Sequence, residues 1–309
     1  MAETHLPRNL IEAVRYFSDP EVCVQFVASL RWADGPICPQ CGGREHSYLT
    51  TRRIWKCKNK ECHKQFSVKV GTIFEDSALG LDKWLVAIWL IANSKNGISS
   101  HELARGTGMT QKSAWFVLHR IRLAMQTGTF EMLSGETEVD ETIVGGKGHF
   151  MHASRKARGG MNNKTIVAGA LNRSEDGASQ VHAQVVPNGW AGTLQKHVHT
   201  YVEPGSTLYT DANASYQGLW NSYQHESVNH SAAEYVRGRV STNGIENFWA
   251  LLKRGIKGTY VQVAPEHVSR YVDERVFTFN NRDLDDLGRF RTVLERISGR
   301  RLTYAQLTS

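Results

Sequence analysis

The chain has 309 residues, 40% apolar and 22% charged, enough for two or three domains that each bury a core. Its longest uninterrupted apolar run, Trp84 to Ala92, is nine residues, against the roughly 20 that a membrane-spanning helix needs, and the first twenty residues hold no apolar core of a secretory leader. These features exclude an integral membrane protein, a collagen-like chain and a disulfide-dense secreted module, and they set the expectation of a cytoplasmic protein. Lys and Arg number 37 against 30 Asp and Glu, a formal charge of +7, which favours a polyanionic partner. The excess is concentrated. Arg31 to Lys69 holds nine basic residues against three acidic ones, and Arg155, Lys156 and Arg158 lie together among glycines. A phosphate backbone is the natural ligand of such clusters.

Residues 1–70 read as an N-terminal helix and a metal ribbon. Four of the five cysteines, Cys38, Cys41, Cys57 and Cys62, form a C-x2-C pair, a fifteen-residue gap and a C-x4-C pair. Two such knuckles joined by a short strand–turn–strand can aim four thiolates at one tetrahedral Zn²⁺, with Zn–S of about 2.3 Å. In a chain without a secretory leader this outweighs a disulfide reading. His46 and His63 lie close enough in sequence to replace a ligand, so the exact set stays open. Such a site is closed and structural, and its metal is coupled to folding. Cys23, inside the apolar run Val22 to Leu30, is expected in the core.

Residues 71–135 read as a helix-turn-helix segment. Trp84, Leu85, Ile88, Trp89 and Ala92 recur at helical spacing, and Asn96-Gly97 ends that helix. Ser99 and Glu102 are spaced as a capping box, Gly106-Thr107-Gly108 breaks the chain, and Thr110 starts a helix with Ala114, Val117, Leu118, Ile121 and Met125 on its apolar side. Gln111, Lys112 and Trp115 are expected to meet bases or phosphates in a major groove, with His119, Arg120 and Arg122 further along.

Residues 136–282 change to α/β patterning, and 283–309 read as a helical tail. Strands are expected over Thr137–Val144, Thr165–Leu171 and Gln180–Val186. A helix follows from Trp190 to Val202, then a strand Thr207–Asp211, and later a helix Asn243–Arg254 with Ile245, Phe248, Trp249 and Leu252 on one side. Three strands, a helix, a strand and later helices is the order of a ribonuclease-H-like fold. Asp140, Asp211 and Glu246 stand where that fold gathers acidic ligands: mid-strand, at a strand end and on a late helix. Three convergent carboxylates suit two Mg²⁺ or Mn²⁺ ions about 3.5–4 Å apart and an in-line displacement at phosphorus. Lys253 lies two turns beyond Glu246 on the same helix face, within reach of strand phosphates. Glu141, adjacent to Asp140, points to the opposite face of its strand and is read as a non-ligand. The pairs His149/His152, His197/His199 and His225/His230 are assigned no metal; His230 is a weak candidate for positioning DNA or Glu246.

The wording around these residues adds a resemblance. Glu138-Val139-Asp140-Glu141-Thr142 with Gly145-Gly146-Lys147, Thr210-Asp211 with Tyr216, and His225 through His230 followed by Thr242-Asn243-Gly244-Ile245-Glu246-Asn247-Phe248-Trp249 and Lys253-Arg254 resemble the three carboxylate motifs of the ISXO-like insertion-sequence transposases, a DDE family. Arg31-Trp32-Ala33-Asp34-Gly35 before the first knuckle, and Gly71-Thr72-Ile73-Phe74-Glu75-Asp76-Ser77 before Trp84, resemble its N-terminal parts, so the likeness runs along nearly the whole chain in order. The resemblance implies a DNA transposase that binds terminal inverted repeats, cleaves at the element ends and joins the freed 3′-hydroxyls to target DNA. It implies Asp140, Asp211 and Glu246 as the metal triad, with Asn243, one turn earlier, as the alternative third ligand. It also implies two protomers acting together on double-stranded DNA. Competing readings are a DNA-binding regulator with an inactive catalytic half and a structure-specific nuclease of the same fold.

Overall fold

The computed structural model describes residues 6–126, 131–145, 164–174, 179–229, 232, 234 and 236–308. In chain order these form helices α1 (Leu10–Tyr16) and α2 (Pro20–Arg31), strands β1 (His46–Leu49), β2 (Ile54–Cys57) and β3 (Gln65–Phe66), and helices α3 (Leu81–Asn93), α4 (Ser100–Thr107) and α5 (Gln111–Met125). Strands β4 (Glu136–Val144), β5 (Thr165–Asn172) and β6 (Val181–Val186) follow, then α6 (Ala191–Tyr201), β7 (Thr207–Asp211) and β8 (Gln224–Val228). The chain ends with α7 (Asn243–Gly255), α8 (Val268–Asn280), α9 (Asp286–Glu295) and α10 (Tyr304–Thr308). They divide into two compact units, one of residues 1–125 with 284–309, the other of 126–283.

In the first unit the helix starts follow local chemistry. Asn9 and Asp19 cap α1 and α2 by accepting the N–H groups of Glu12 and Glu21, and Pro20 opens α2 with its φ already helical. The antiparallel ribbon β1-β2-β3 pairs Tyr48 with Trp55 and Trp55 with Phe66. Its aromatic face meets α2 through Trp32, whose ring lies 5.4 Å from Trp55 and 6.1 Å from Phe66, and Tyr48 donates its hydroxyl to Glu21 at 2.8 Å. Ser99 and Glu102 complete the expected capping box of α4, and Gly108 ends that helix at φ +66°, a left-handed conformation suited to glycine.

Two features of this unit depart from the sequence reading. Residues 284–308 are not a separate tail: Phe290 of α9 is fully buried between Phe17, Phe26 and Trp89, and Ile73 N–H bonds to the Ile297 carbonyl at 3.1 Å. The far end of α5 is also internal. His119, Arg120 and Arg122 are 0, 3 and 1% exposed, which removes them from any groove. Arg120 Nε donates to the Leu302 carbonyl at 2.8 Å and its Nη2 to the Glu75 carbonyl at 2.7 Å, so the guanidinium ties three remote segments together. Arg spacing on a helix reads as a nucleic-acid face only while the C-terminal segment that covers it is ignored.

In the second unit a five-stranded sheet runs β6-β5-β4-β7-β8. β6, β5 and β4 are antiparallel neighbours, whereas β4–β7 and β7–β8 are parallel. Strand alternation gives the sheet two apolar faces. Ala168, Ala170, Val139 and Leu208 pack with Leu194 and Val198 of α6; Val167, Leu171 and Val144 pack with Ile245, Phe248 and Trp249 of α7 and Val272 and Val276 of α8. Helices on both faces close the core. Gly169 faces α7, and a Cβ there would lie 2.6 Å from the Trp249 ring, so the indole lies directly on the strand backbone.

Arg120→Met leaves one buried and one half-buried carbonyl without their donor, and should lower the unfolding free energy of the first unit by about 2–4 kcal/mol, read from urea titration of the purified chain.

Candidate functional site

The cysteine centre forms where the ribbon brings its two knuckles together. Cys38 N–H bonds to the Gly43 carbonyl at 2.9 Å and Gly42 N–H to the Cys38 carbonyl at 2.8 Å, which curls the first knuckle; Cys57 ends β2, and Cys62 follows in the second. The sulfurs of Cys38, Cys41, Cys57 and Cys62 all lie within 4.8 Å of one another, with Cys38···Cys62 at 3.7 Å and Cys41···Cys57 at 3.6 Å. A tetrahedron with Zn–S of about 2.3 Å has edges of about 3.8 Å, so the donor set fits Zn²⁺ in type, number and spacing. A Cβ at position 43 would stand 3.3 Å from the Cys41 sulfur, which explains a glycine beside the thiolates. The four cysteines cluster as a set that could hold a metal ion, without His46 or His63. Cys23 is fully buried, its thiol donating to the Phe17 carbonyl at 3.2 Å.

In the second unit, acidic groups converge where the middle of β4 lies beside the carboxyl end of β7. The parallel register sets Glu138 opposite Tyr209, and two residues further along each strand are Asp140 and Asp211, which therefore share the face that carries α7. Asp140 pairs with Gly169 on its other side, and over that glycine the Trp249 Nε1–H donates to Asp140 Oδ2 at 3.0 Å. Glu141 faces the α6 side, as alternation requires, and the segment after β7 reaches it: Asn213 Nδ2 donates at 2.8 Å and the buried Tyr216 hydroxyl at 2.5 Å. Asn213 N–H in turn bonds Asp211 Oδ1 at 3.1 Å. Burial, then the charges of Glu141 and Asp211, push the Asp140 carboxyl up to about 7. Burial foremost also raises Glu141, against the hydroxyl of Tyr216 that lowers it. Behind the cluster, Thr210 Oγ1 meets His225 Nε2 at 2.8 Å.

The third acidic candidate stands apart in character. Glu246 is exposed on the first turn of α7, one turn before Trp249, and its Oε1 accepts from the Thr242 hydroxyl at 2.9 Å. Asn243 is exposed at the start of the helix, and Lys253 is half-buried one turn after Trp249. Among the described residues, the cysteines form a tight set of metal-type ligand atoms; Asp140, Asp211 and Glu246 do not. What these elements do form is a crowded pair of carboxylates under a helix whose first turn carries a third.

Comparison with known proteins places this geometry. The family model described as the ISXO2-like transposase domain matches residues 132–280, and that of the transposase zinc-ribbon domain matches 18–65. A Haemophilus influenzae protein described as an uncharacterized transposase-like protein is 33% identical over 106 residues, 34% of this chain and 85% of that relative. The chain belongs to the ISXO2-like transposase family. A Halobacterium salinarum relative, described as an uncharacterized protein in transposable element ISH50, is 25% identical over 259 residues, 78% of this chain and 84% of its own length.

For a transposase chain the remaining candidates fall into three groups. Gln111 and Lys112 are exposed at the start of α5, where the Gln111 amide bonds the Ser100 hydroxyl at 2.8 Å and Lys112 Nζ sits 4.8 Å over the Tyr304 ring. Trp115 is half-buried, its ring 4.5 Å from that of His119. Arg155, Lys156, Arg158, His149, His152 and His230 lie outside the described residues. No described helix is long and apolar enough to cross a membrane. Sequence reasoning missed Glu138 and Arg173, which bond each other at 2.6 Å beneath α7, and the role of Gly169; a glycine opposite the first motif's aspartate was the available signal for the last.

Two outcomes follow from these geometries. Metal analysis of the purified chain should find one zinc per protomer, lost in Cys57→Ser together with the ribbon's protection from protease. In metal-free protein Asp140 keeps a proton that the unfolded chain, with an ordinary Asp value near 3.9, has released. Its raised value therefore subtracts stability as pH rises from about 4 to about 7. Asp140→Asn should lift the melting temperature little at pH 4 and most at pH 8, each kcal/mol of gain reading as roughly 2–4 °C in a unit of this size.

Proposed function

We propose that this protein is a DDE transposase whose second unit is a ribonuclease-H-like catalytic domain, with Asp140, Asp211 and Glu246 holding two Mg²⁺ or Mn²⁺ ions. It binds the terminal inverted repeats of its element, cleaves DNA there and transfers the freed 3′-hydroxyls to target DNA. The observation that carries this reading is the β4–β7 register: two carboxylates on one face, of which Asp140, buried and crowded by Glu141 and Asp211, is driven toward protonation. Such repulsion is relieved by hard divalent cations. The sheet order β6-β5-β4-β7-β8, with its antiparallel and parallel halves, supports the fold assignment.

When bound, the cations supply activation of the attacking hydroxyl and neutralisation of the departing oxygen. The residues of the chain do the rest. Trp249 orients Asp140 through its indole N–H; Asn213 and Tyr216 hold Glu141 away from it on the other face. Glu246, with Asn243 as the alternative, completes the set from α7, and Lys253 on the same helix engages the phosphates of the scissile strand. α4 and α5, joined across the left-handed Gly108, act as a helix-turn-helix that presents Gln111, Lys112 and Trp115 to DNA. The zinc ribbon and the Arg155, Lys156, Arg158 segment add phosphate contacts. Two protomers act on the two ends, in the cytoplasm.

The experiment is cleavage, in Mg²⁺ or Mn²⁺, of duplexes bearing the element's ends or scrambled ends. Asp140→Ala and Asp211→Ala should reduce cleavage by at least the order of 100-fold while end binding in a gel-shift assay persists. Comparing Glu246→Ala with Asn243→Ala identifies the third ligand. End binding without cleavage by the parent would favour the regulator, and cleavage of branched DNA regardless of end sequence would favour the nuclease.

A further inference from the structure

Helix α7 starts without a cap of its own: Thr242 makes no capping bond from its side chain to the first turn. A strand residue 107 positions upstream supplies the missing acceptor. Glu138, 2% exposed, takes the Ile245 N–H on Oε2 at 2.8 Å and Arg173 Nε on Oε1 at 2.6 Å. Gly244 makes the approach possible, because a Cβ there would lie 2.9 Å from Glu138 Oε2 and 3.1 Å from Oε1. Arg173 then grips the chain leading into the helix, donating to the Arg239 carbonyl at 2.5 Å and to the Ser241 carbonyl and hydroxyl at 2.9 and 2.7 Å.

Burying a carboxylate is costly unless its partners are complete, whereas a serine or aspartate at position 242 would cap the helix locally. The remote arrangement adds something a local cap does not. Glu138 and Asp140 are on one face of β4, and they bond Ile245 and Trp249, four residues apart on one face of α7. Two attachments of this kind fix both the rise and the rotation of the helix over the strand. Asn243 and Glu246 flank the first attachment.

We propose that Glu138, Arg173 and Gly244 form a positioning clamp that holds the first turn of α7, and with it the third ligand, at the spacing from Asp140 that divalent-cation binding requires. This rests on the site reading above. None of the three residues touches the ions.

The test uses the full-length protein and Mn²⁺, with binding read from the electron paramagnetic resonance signal of free Mn²⁺. Arg173→Lys keeps the charge but loses the fork that reaches four acceptors. Gly244→Ala keeps both charges and intrudes on the carboxylate, so it reads the same quantity if the first variant folds poorly. Each should raise the Mn²⁺ dissociation constant about tenfold, the scale seen when partners of metal ligands are altered. The Mn²⁺ concentration for half-maximal cleavage should rise in step, excess Mn²⁺ should restore the rate, and end-DNA binding should stay at the parent level. Unchanged Mn²⁺ affinity in both variants, with Asp140→Asn abolishing it, overturns the clamp and leaves the site reading standing. A parent that binds no Mn²⁺ overturns both.

Discussion

Asp140 and Asp211 share one face of the sheet because β4 and β7 run parallel in a register that leaves them no other face, and Glu141 adds a third negative charge beside Asp140. Much else in the second unit is arranged around that repulsion. Asn213 and Tyr216 take both oxygens of Glu141 and turn it to the α6 side. Trp249 gives Asp140 one neutral hydrogen bond, and it reaches the strand only because residue 169 lacks a side chain. None of these neighbours brings a positive charge. The crowding that makes the apo cluster unfavourable is the same property that would make a cation bind there.

The first unit solves a parallel problem with softer chemistry. Three short strands, the last of two residues, cannot bury enough surface to stand alone. The four thiols tie the knuckle before β1 to the turn between β2 and β3, and Trp55 and Phe66 lean on Trp32 at the end of α2. The thiol cluster and the aromatic packing therefore both support one small sheet. Thiols at tetrahedral spacing in one unit and carboxylates on a strand pair in the other offer two distinct donor chemistries.

The sequence made some of this readable and hid the rest for physical reasons. Cysteine spacing, the capping box at Ser99 and Glu102, and the alternation of β4, β5 and β6 are local signals, and each reappears at the expected place. β8 was invisible because Gln224 to Val228 is a polar edge strand with mostly half-exposed residues, carrying no apolar stripe. Arg120 and Arg122 mislead for the opposite reason: arginines on a helix suggest solvent or phosphate, but here segments nearly two hundred residues later cover one of them. Contacts of that range leave no periodicity. Glu138 was hidden by its own motif, since in an acidic run around Asp140 nothing marks which carboxylate is paired and buried.

That last distinction carries the most chemistry. Glu138 and Asp140 are the same kind of group, two residues apart on one strand face under one helix. Glu138 is given an arginine and the N–H of a helix start, a full complement for a buried carboxylate. Asp140 is given an indole N–H and two anionic neighbours. The first arrangement pairs its charge within the fold, and Glu138 serves to hold α7. The second leaves charge without a cationic partner, beneath the helix that carries Asn243 and Glu246. Placing both on one strand couples them. Any shift of α7 that loosened the Glu138 bond would carry Trp249 with it and alter the setting of Asp140, so the geometry of the acidic cluster is governed by a carboxylate that does not belong to it.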